Sequence, residues 1–230
     1  MPPPEDGQSP TAPVIPSLAR TRLADQIADV LREQMLTGTL QPGDPIHERD
    51  TSAALGVSRT PLREALLILE AEGLIETSPA RSPIVAAPSL EDLSQLLAVL
   101  ATLEALAGEL ACANATPKDL RAIRALYEDL VETDSDPDTV SHFKTDMAFH
   151  SAIVAASRNQ PLIKTHQQYN SRLWRARYMS ASRRVGRATS MEDHRMMVEG
   201  LEERNSEKTA KTMRNHLESA VKNIAQILGA

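Results

Sequence analysis

Residues 48–75, ERDTSAALGVSRTPLREALLILEAEGLI, decide the fold. They read as a short helix, a tight turn and a longer helix. Leu55-Gly56-Val57 makes the turn, where Gly56 can take the positive φ of a sharp helix-to-helix connection. Ser58 is placed as N-cap, its hydroxyl expected to accept from an orphan amide of the first turn. Pro61 falls inside that turn, where its missing N–H costs little. Leu62, Ala65, Leu66 and Leu69 follow at helical spacing as a core stripe, and Gly73 ends the helix. Arg59, Thr60 and Arg63 remain on the outer N-terminal part, the end a recognition helix offers to base edges in the major groove. The stretch reads as a helix-turn-helix.

On the N-terminal side, residues 1–16 hold six prolines and almost no large apolar residues, which predicts a disordered tail. A helix is expected from Leu18 to about Thr37, with Leu23, Ile27, Val30, Leu31 and Met35 facing inward. Gly38, Pro42-Gly43 and Pro45 end it in a loop. On the C-terminal side the period changes after Gly73. Leu74–Thr77 and Pro83–Ala86, joined by the polar Ser78–Ser82, predict a two-stranded hairpin. A helix-turn-helix followed by a hairpin is a winged helix. Arg81 at the tip is placed to reach a minor groove or a phosphate, or simply to sit in solvent. From Ser89 onward everything reads as helix: about six helices, rich in Ala and Leu, forming an antiparallel bundle. One expected helix runs unbroken from Leu162 to about Arg183. The fold class is therefore mostly α, with a tail at 1–16, a winged helix at 17–88 and an all-helical domain at 89–230. Phosphate-loop, GxSxG and CxxC signatures are missing from the sequence.

The net charge of −6 and a pI near 5.6 exclude DNA coating by bulk charge. From Leu18 to Pro88 there are seven arginines against ten carboxylates, so any DNA contact must rest on placement. Arg49, Arg59, Arg63 and Arg81 fall on the outer surface of the second helix, the third helix and the wing, and arginine pairs bidentately with guanine. The single Cys112 excludes an internal disulfide and fits a reducing compartment. The N-terminus lacks a signal-peptide pattern, and no apolar run is read as reaching the length of a membrane span. The expectation is a cytoplasmic protein.

Residues 18–88 resemble the winged-helix domain of GntR-type transcriptional regulators. The resemblance is carried by Pro42-Gly43, Glu48-Arg49, the run Ala53 to Leu66, Leu69, and Glu72-Gly73-Leu74-Ile75. It implies double-stranded DNA as partner, with Arg49, Arg59 and Arg63 on bases or phosphates and Ser58 and Thr60 assisting. Ser82, where many members carry a wing-tip glycine, and Thr51-Ser52, in place of a more usual Leu-Ala pair, depart from the pattern.

The helical part carries a second constellation. Asp146 and His150, in DMAFH, leave one face of one helix at i, i+4. His194 and His216 lie in two later helices. If the four converge they suit Zn²⁺, Ni²⁺, Mn²⁺ or Fe²⁺ with open coordination positions, but spacing alone does not show convergence. The pattern Asp146-x-x-Phe149-His150, Asn159, Glu192-Asp193-His194 and Asn215-His216-Leu217 resembles the FadR-like branch of the same regulators, with its C-terminal effector-binding (FCD) domain. That resemblance implies Asp146, His150, His194 and His216 as ligands of a divalent metal, zinc first, completed by a small carboxylate effector. His142 and His166 match no ligand position and read as surface or packing residues. Leu100 stands where many relatives place a cavity arginine, so Arg172, Arg175 and Arg177, the first two foremost, are candidates to grip the carboxylate instead, or else form a solvated basic face beside Trp174 and Tyr178. The whole predicts a metabolite-responsive homodimeric regulator, a repressor acting on a palindromic operator. The competing reading is a metal-dependent hydrolase or isomerase using the same three histidines and one aspartate.

Overall fold

The computed structural model describes residues 23–78, 81–134, 139–182 and 187–228. The expected tail, the start of the first helix and the wing-tip pair 79–80 lie outside them. Three helices, α1 (Leu23–Thr37), α2 (Glu48–Leu55) and α3 (Arg59–Ala71), close on a hairpin of β1 (Ile75–Ser78) and β2 (Arg81–Val85). Their shared core includes Ile27, Leu31, Ile46, Leu62, Leu69 and Ile75. Gly56 takes φ +66° and Gly73 φ +71°, so both turns use the left-handed conformation that glycine adopts without steric cost. The strands pair antiparallel, Ile75 with Val85 and Glu76 with Ile84, and a bulge precedes Ser78–Arg81. The loop before α2 adds backbone bonds to β2, from Ile46 N to Pro83 O (2.7 Å) and from Gly43 N to Val85 O (2.8 Å). Residue pattern alone does not foretell this support for the wing.

Two local expectations fail. Ser58 occupies the N-cap position of α3, but its side chain makes no cap bond and stays exposed. Leu23 and Val30 on α1 are 47% and 43% exposed, and Ala24 and Ala28 take the inner face. Ile27, Leu31 and Met35 are buried as expected, and the small residues at 24 and 28 shift only the rest of the stripe.

The remaining helices are α4 (Leu90–Asn114), α5 (Pro117–Glu132), α6 (Thr139–Ala156), α7 (Gln160–Arg172), α8 (Trp174–Ala181), α9 (Arg187–Glu202) and α10 (Ser206–Leu228). Capping boxes at Ser89–Asp92 and Thr116–Asp119 start α4 and α5. A Cβ on Gly108 would lie 2.6 Å from Met213 Sδ, so glycine is what lets α4 and α10 pack in contact. The single helix expected from Leu162 to about Arg183 is two, and the bundle has seven helices among the described residues. Leu173, fully buried with Leu97, Leu100 and Ala176, stands at the junction with φ −95° and ψ 0°. A second correction concerns α4. Its most apolar 18-residue window reaches a mean hydropathy of 1.8, long and apolar enough by those measures to cross a membrane. Half of that window is buried inside the protein, and the fully buried Glu104 sits in the middle of the helix, as in the core helix of a bundle.

The two parts touch along one seam. Lys144 Nζ donates to Glu33 Oε2 at 2.8 Å. Leu36 of α1 packs in a cluster with Phe143, Met147, Trp174 and Tyr178. Arg175 donates to Met35 O (3.2 Å), one of the last carbonyls of α1, and to Leu40 O (3.4 Å) and Gln41 Oε1 (3.1 Å) in the loop after it.

Candidate metal centre and nucleic-acid interface

α6, α9 and α10 each deliver one imidazole to the same point inside the bundle. Ligand nitrogens of His150, His194 and His216 lie within 4.8 Å of one another. Asp146, one turn before His150, places Oδ1 3.2 Å from His194 Nε2 and 3.9 Å from His150 Nε2. His150 and His194 are buried, and none of their ring nitrogens has a well-formed hydrogen bond. Buried polar atoms are ordinarily satisfied, so four orphaned nitrogens mark a place where something else supplies the partner. Three neutral imidazoles and one carboxylate fit a divalent cation.

Protonation follows from burial. Burial pushes His150 below the ordinary value and carries His194 down to about 4. For Asp146, burial acts upward, but the His194 ring beside it and the charges of His150 and Arg177 outweigh it, holding the carboxyl well below the ordinary carboxylate range. Because the imidazolium is the form that burial penalises, the state at neutral pH is an ionised Asp146 beside neutral histidines.

Around the donors is a layer that sequence reasoning missed. Glu104 on α4 is fully buried. Its Oε1 accepts from His166 Nε2 (3.1 Å) and Arg177 Nη1 (3.0 Å), and its Oε2 lies 2.8 Å from His150 Nδ1, out of line with the ring N–H. Burial acts to raise its pKa, and the charges of His150 and Arg177 more than reverse that. Asp193 Oδ2 similarly stands 3.3 Å from His216 Nδ1. Carboxylates behind Nδ1 leave Nε2 of His150 and His216 facing the centre. His166, expected at the surface or in ordinary packing, is buried as a member of this layer. A glutamate in an otherwise apolar core helix was the available signal.

A cavity of about 300 Å³ opens beside the cluster, with Asp146, His194 and His216 on one wall and Arg177, Lys222 and Asn223 on others. Of the three arginines considered from sequence, only Arg177 reaches it. Arg172 lines a separate hollow with Gly73, Pro88 and Tyr169, and Arg175 is committed to α1. Leu100 is buried in an apolar cluster.

On the winged helix, Arg49, Ser58, Arg59, Thr60, Arg63 and Arg81 are all exposed. Arg63 Nε donates to Glu48 Oε2 at 2.8 Å, whereas Arg49, Arg59 and Arg81 form no ion pair among the described residues. His47 Nδ1 lies 3.3 Å from Ser82 Oγ, joining α2 to the wing.

A winged helix joined to an all-helical bundle is the build of a two-part transcriptional regulator. Residues 23–85 match the family described as bacterial regulatory proteins, gntR family, and residues 95–219 match the FCD domain. The chain belongs to the GntR family of transcriptional regulators, with an FCD C-terminal domain. It is 32% identical over 194 residues to the Nta operon transcriptional regulator of Aminobacter aminovorans, covering 82% of this chain and 88% of that protein. It is 29% identical over 200 residues to the probable D-xylose utilization operon transcriptional repressor of Paenarthrobacter nicotinovorans, covering 87% and 88%. Among solved structures, E. coli McbR/YncC superposes with a TM-score of 0.79 at 24% identity over 91% of this chain and 100% of that one, a likeness of fold. These relatives are regulators and not enzymes, which removes the hydrolase or isomerase reading.

Proposed function

We propose that the protein is a metal-dependent, effector-responsive repressor that acts as a homodimer in the cytoplasm. Each winged helix reads one half of a palindromic operator through Arg49, Ser58, Arg59, Thr60, Arg63 and Arg81. Asp146, His150, His194 and His216 hold a divalent cation, zinc first, with nickel, manganese or iron as alternatives. The observation that carries this reading is the convergence of three imidazoles from three separate helices, with the buried ring nitrogens of His150 and His194 unsatisfied. The metal supplies a Lewis-acidic position for one oxygen of a small carboxylate. Arg177 and Lys222, on the cavity wall, are the cations placed to bind the remaining charge. Repression is the sense named for the relative from Paenarthrobacter.

The link to DNA runs through α8. Its Arg177 and Ser180 line the cavity, while its Trp174, Arg175 and Tyr178 grip the end of α1 and its neighbours. An effector that shifts α8 therefore shifts the winged helix, and effector and operator affinities are coupled reciprocally.

A thermal-shift panel of sugar acids, hydroxy acids, dicarboxylates and acyl-CoA thioesters, with and without chelator, tests the input. Stabilisation by one carboxylate only when metal is present is expected, and silence across the metal-loaded panel would sink it. For the output, Arg59→Ala and Arg63→Ala should each weaken operator binding by about 1–3 kcal/mol. Unchanged affinity in both would remove the assignment.

A further inference from the structure

The bonds and the apolar cluster that join the two parts through Lys144, Leu36 and Arg175 all reach α1 or the loop after it. Holds gathered on one helix fix that helix and leave the rest of the winged helix able to rock about it. The seam also has a contact away from α1. Arg172, the last residue of α7, lies across Gly73, which stands between the recognition helix α3 and β1 of the wing. A Cβ on Gly73 would lie 2.7 Å from Arg172 Nε, 3.0 Å from its Cγ and 3.3 Å from its Cδ, so the arginine stem occupies the face that glycine leaves bare. Beside this contact is a hollow of about 500 Å³, walled by Glu76 and Ala86 from the winged helix and by Gln95 and Tyr169 from the bundle. Arg172 forms no hydrogen bond or ion pair among the described residues, although Glu76 lines the same hollow. Its place is therefore set by packing on the glycine and not by a charged partner.

Arg172 and Arg175 stand on either side of Leu173. The Leu173 N–H donates to Tyr169 O and Asn170 O, both at 3.2 Å, and the Leu173 carbonyl accepts from Arg177 N at 2.8 Å. α7 and α8 thus form one bonded elbow across the break. One arginine of the elbow holds the end of α1, and the other rests on the junction between recognition helix and wing. Two separated holds fix an orientation that one alone leaves open. We propose that Arg172, acting through Gly73, is a positioning residue for DNA reading, setting the angle at which α3 and the wing are carried on the bundle. Gly73 then serves twice, as the left-handed turn at φ +71° and as the bare surface under the arginine. The inference rests on the reading above that the winged helix reads an operator.

Operator DNA selected by the wild-type full chain from a random pool is the probe. Arg172→Ala should weaken its binding about 3- to 30-fold, the range for residues that modulate coupling without touching the ligand. Zinc affinity should hold, and the melting temperature should move by no more than about 2 °C, as for an exposed side chain. The dependence of log affinity on log salt should match wild type; a slope smaller by about 1 would make Arg172 a phosphate contact and overturn the assignment. Arg172→Lys keeps the stem and should bind as wild type does. Gly73→Asn keeps the turn, because asparagine tolerates the left-handed conformation, yet puts a Cβ under the arginine, so it should weaken binding too. In the Arg172→Ala background Gly73→Asn should cost little more, since the contact is already gone. Wild-type affinity in Arg172→Ala, or losses that add in the double variant, overturn the positioning role while leaving operator reading intact. A wild type that selects no sequence overturns operator reading and this inference together.

Discussion

Glu104→Gln tests the layer behind the candidate metal centre at constant volume. The wild-type carboxylate is 0% exposed and pairs with Arg177, itself 4% exposed, at 3.0 Å. Removing its charge leaves a buried guanidinium without a counter-ion, a change that costs about 3–5 kcal/mol when one partner of a buried pair is lost. Asn170 Oδ1 still accepts from Arg177 at 2.7 Å, and a glutamine oxygen can still accept, so the lower end, about 3 kcal/mol, applies. At roughly 2–4 °C per kcal/mol for a protein of this size, the melting temperature should fall by about 6–12 °C. The same oxygen pair orients His150 and His166, so metal affinity should drop about 10–100-fold, as for other changes behind a ligand histidine. Circular-dichroism melts with chelator and with zinc give the first quantity, and calorimetric titration of zinc gives the second. Removing both partners, Glu104→Gln with Arg177→Met, should recover much of the lost stability, because no charge is then stranded. Wild-type melting and wild-type zinc affinity in Glu104→Gln would refute the role given to this carboxylate.

Acid should destabilise the metal-free protein earlier than carboxylate titration alone would. His194 sits near 4 against an ordinary 6.5, so between those values the unfolded chain binds more protons, and stability falls as pH drops through that window, by up to about 3 kcal/mol. The depressed Glu104 and Asp146 add their loss only below their unfolded values near 4; a chelated protein whose melting temperature is flat from pH 6.5 to 5 would contradict this. Burial pushes the Cys112 thiol up, with the Thr209 hydroxyl and Arg204 opposing it only in part. Native protein at pH 8 should therefore react with a thiol reagent more slowly than unfolded protein, and equal rates would count against a buried thiol. Arg175→Ala removes three hydrogen bonds between α8 and the end of α1. Hydrogen exchange should speed up at residues 35–41 while zinc affinity stays put; unaltered exchange there would mean that Arg175 does not tie the two parts together.

What the sequence made legible was local. Gly56 and Gly73 have the φ values that their turns demand, and Ser89–Asp92 forms the capping box that its spacing predicts. The exposed arginines of α2 and α3 could be read because one helical turn fixes which residues share a face. The inner stripe of α1 was misread only at Leu23 and Val30, which carry the right period although Ala24 and Ala28 take the inner face. Periodicity gives a helix's amphipathic direction only to within a residue, and packing decides the rest. Asp146 and His150 were legible as a pair for the same local reason. That His194 and His216 meet them depends on how α9 and α10 pack, which no spacing encodes.

The basic run NSRLWRARYMS shows where such reasoning stops. Read as one helix, Arg172, Arg175 and Arg177 look interchangeable, and nothing ranks them as partners of a carboxylate. The break at Leu173, where the backbone turns to φ −95° and ψ 0°, puts Arg172 on one helix and Arg175 and Arg177 on the next. Arg172 is left on α7 beside Gly73. Within α8, positions 175 and 177 are two residues apart and so point about 200° from one another. Arg175 is thereby directed to the winged helix and Arg177 to Glu104 and the cavity. One eight-residue helix therefore faces two ways, toward the buried Glu104 and cavity through Arg177 and toward the winged helix through Arg175.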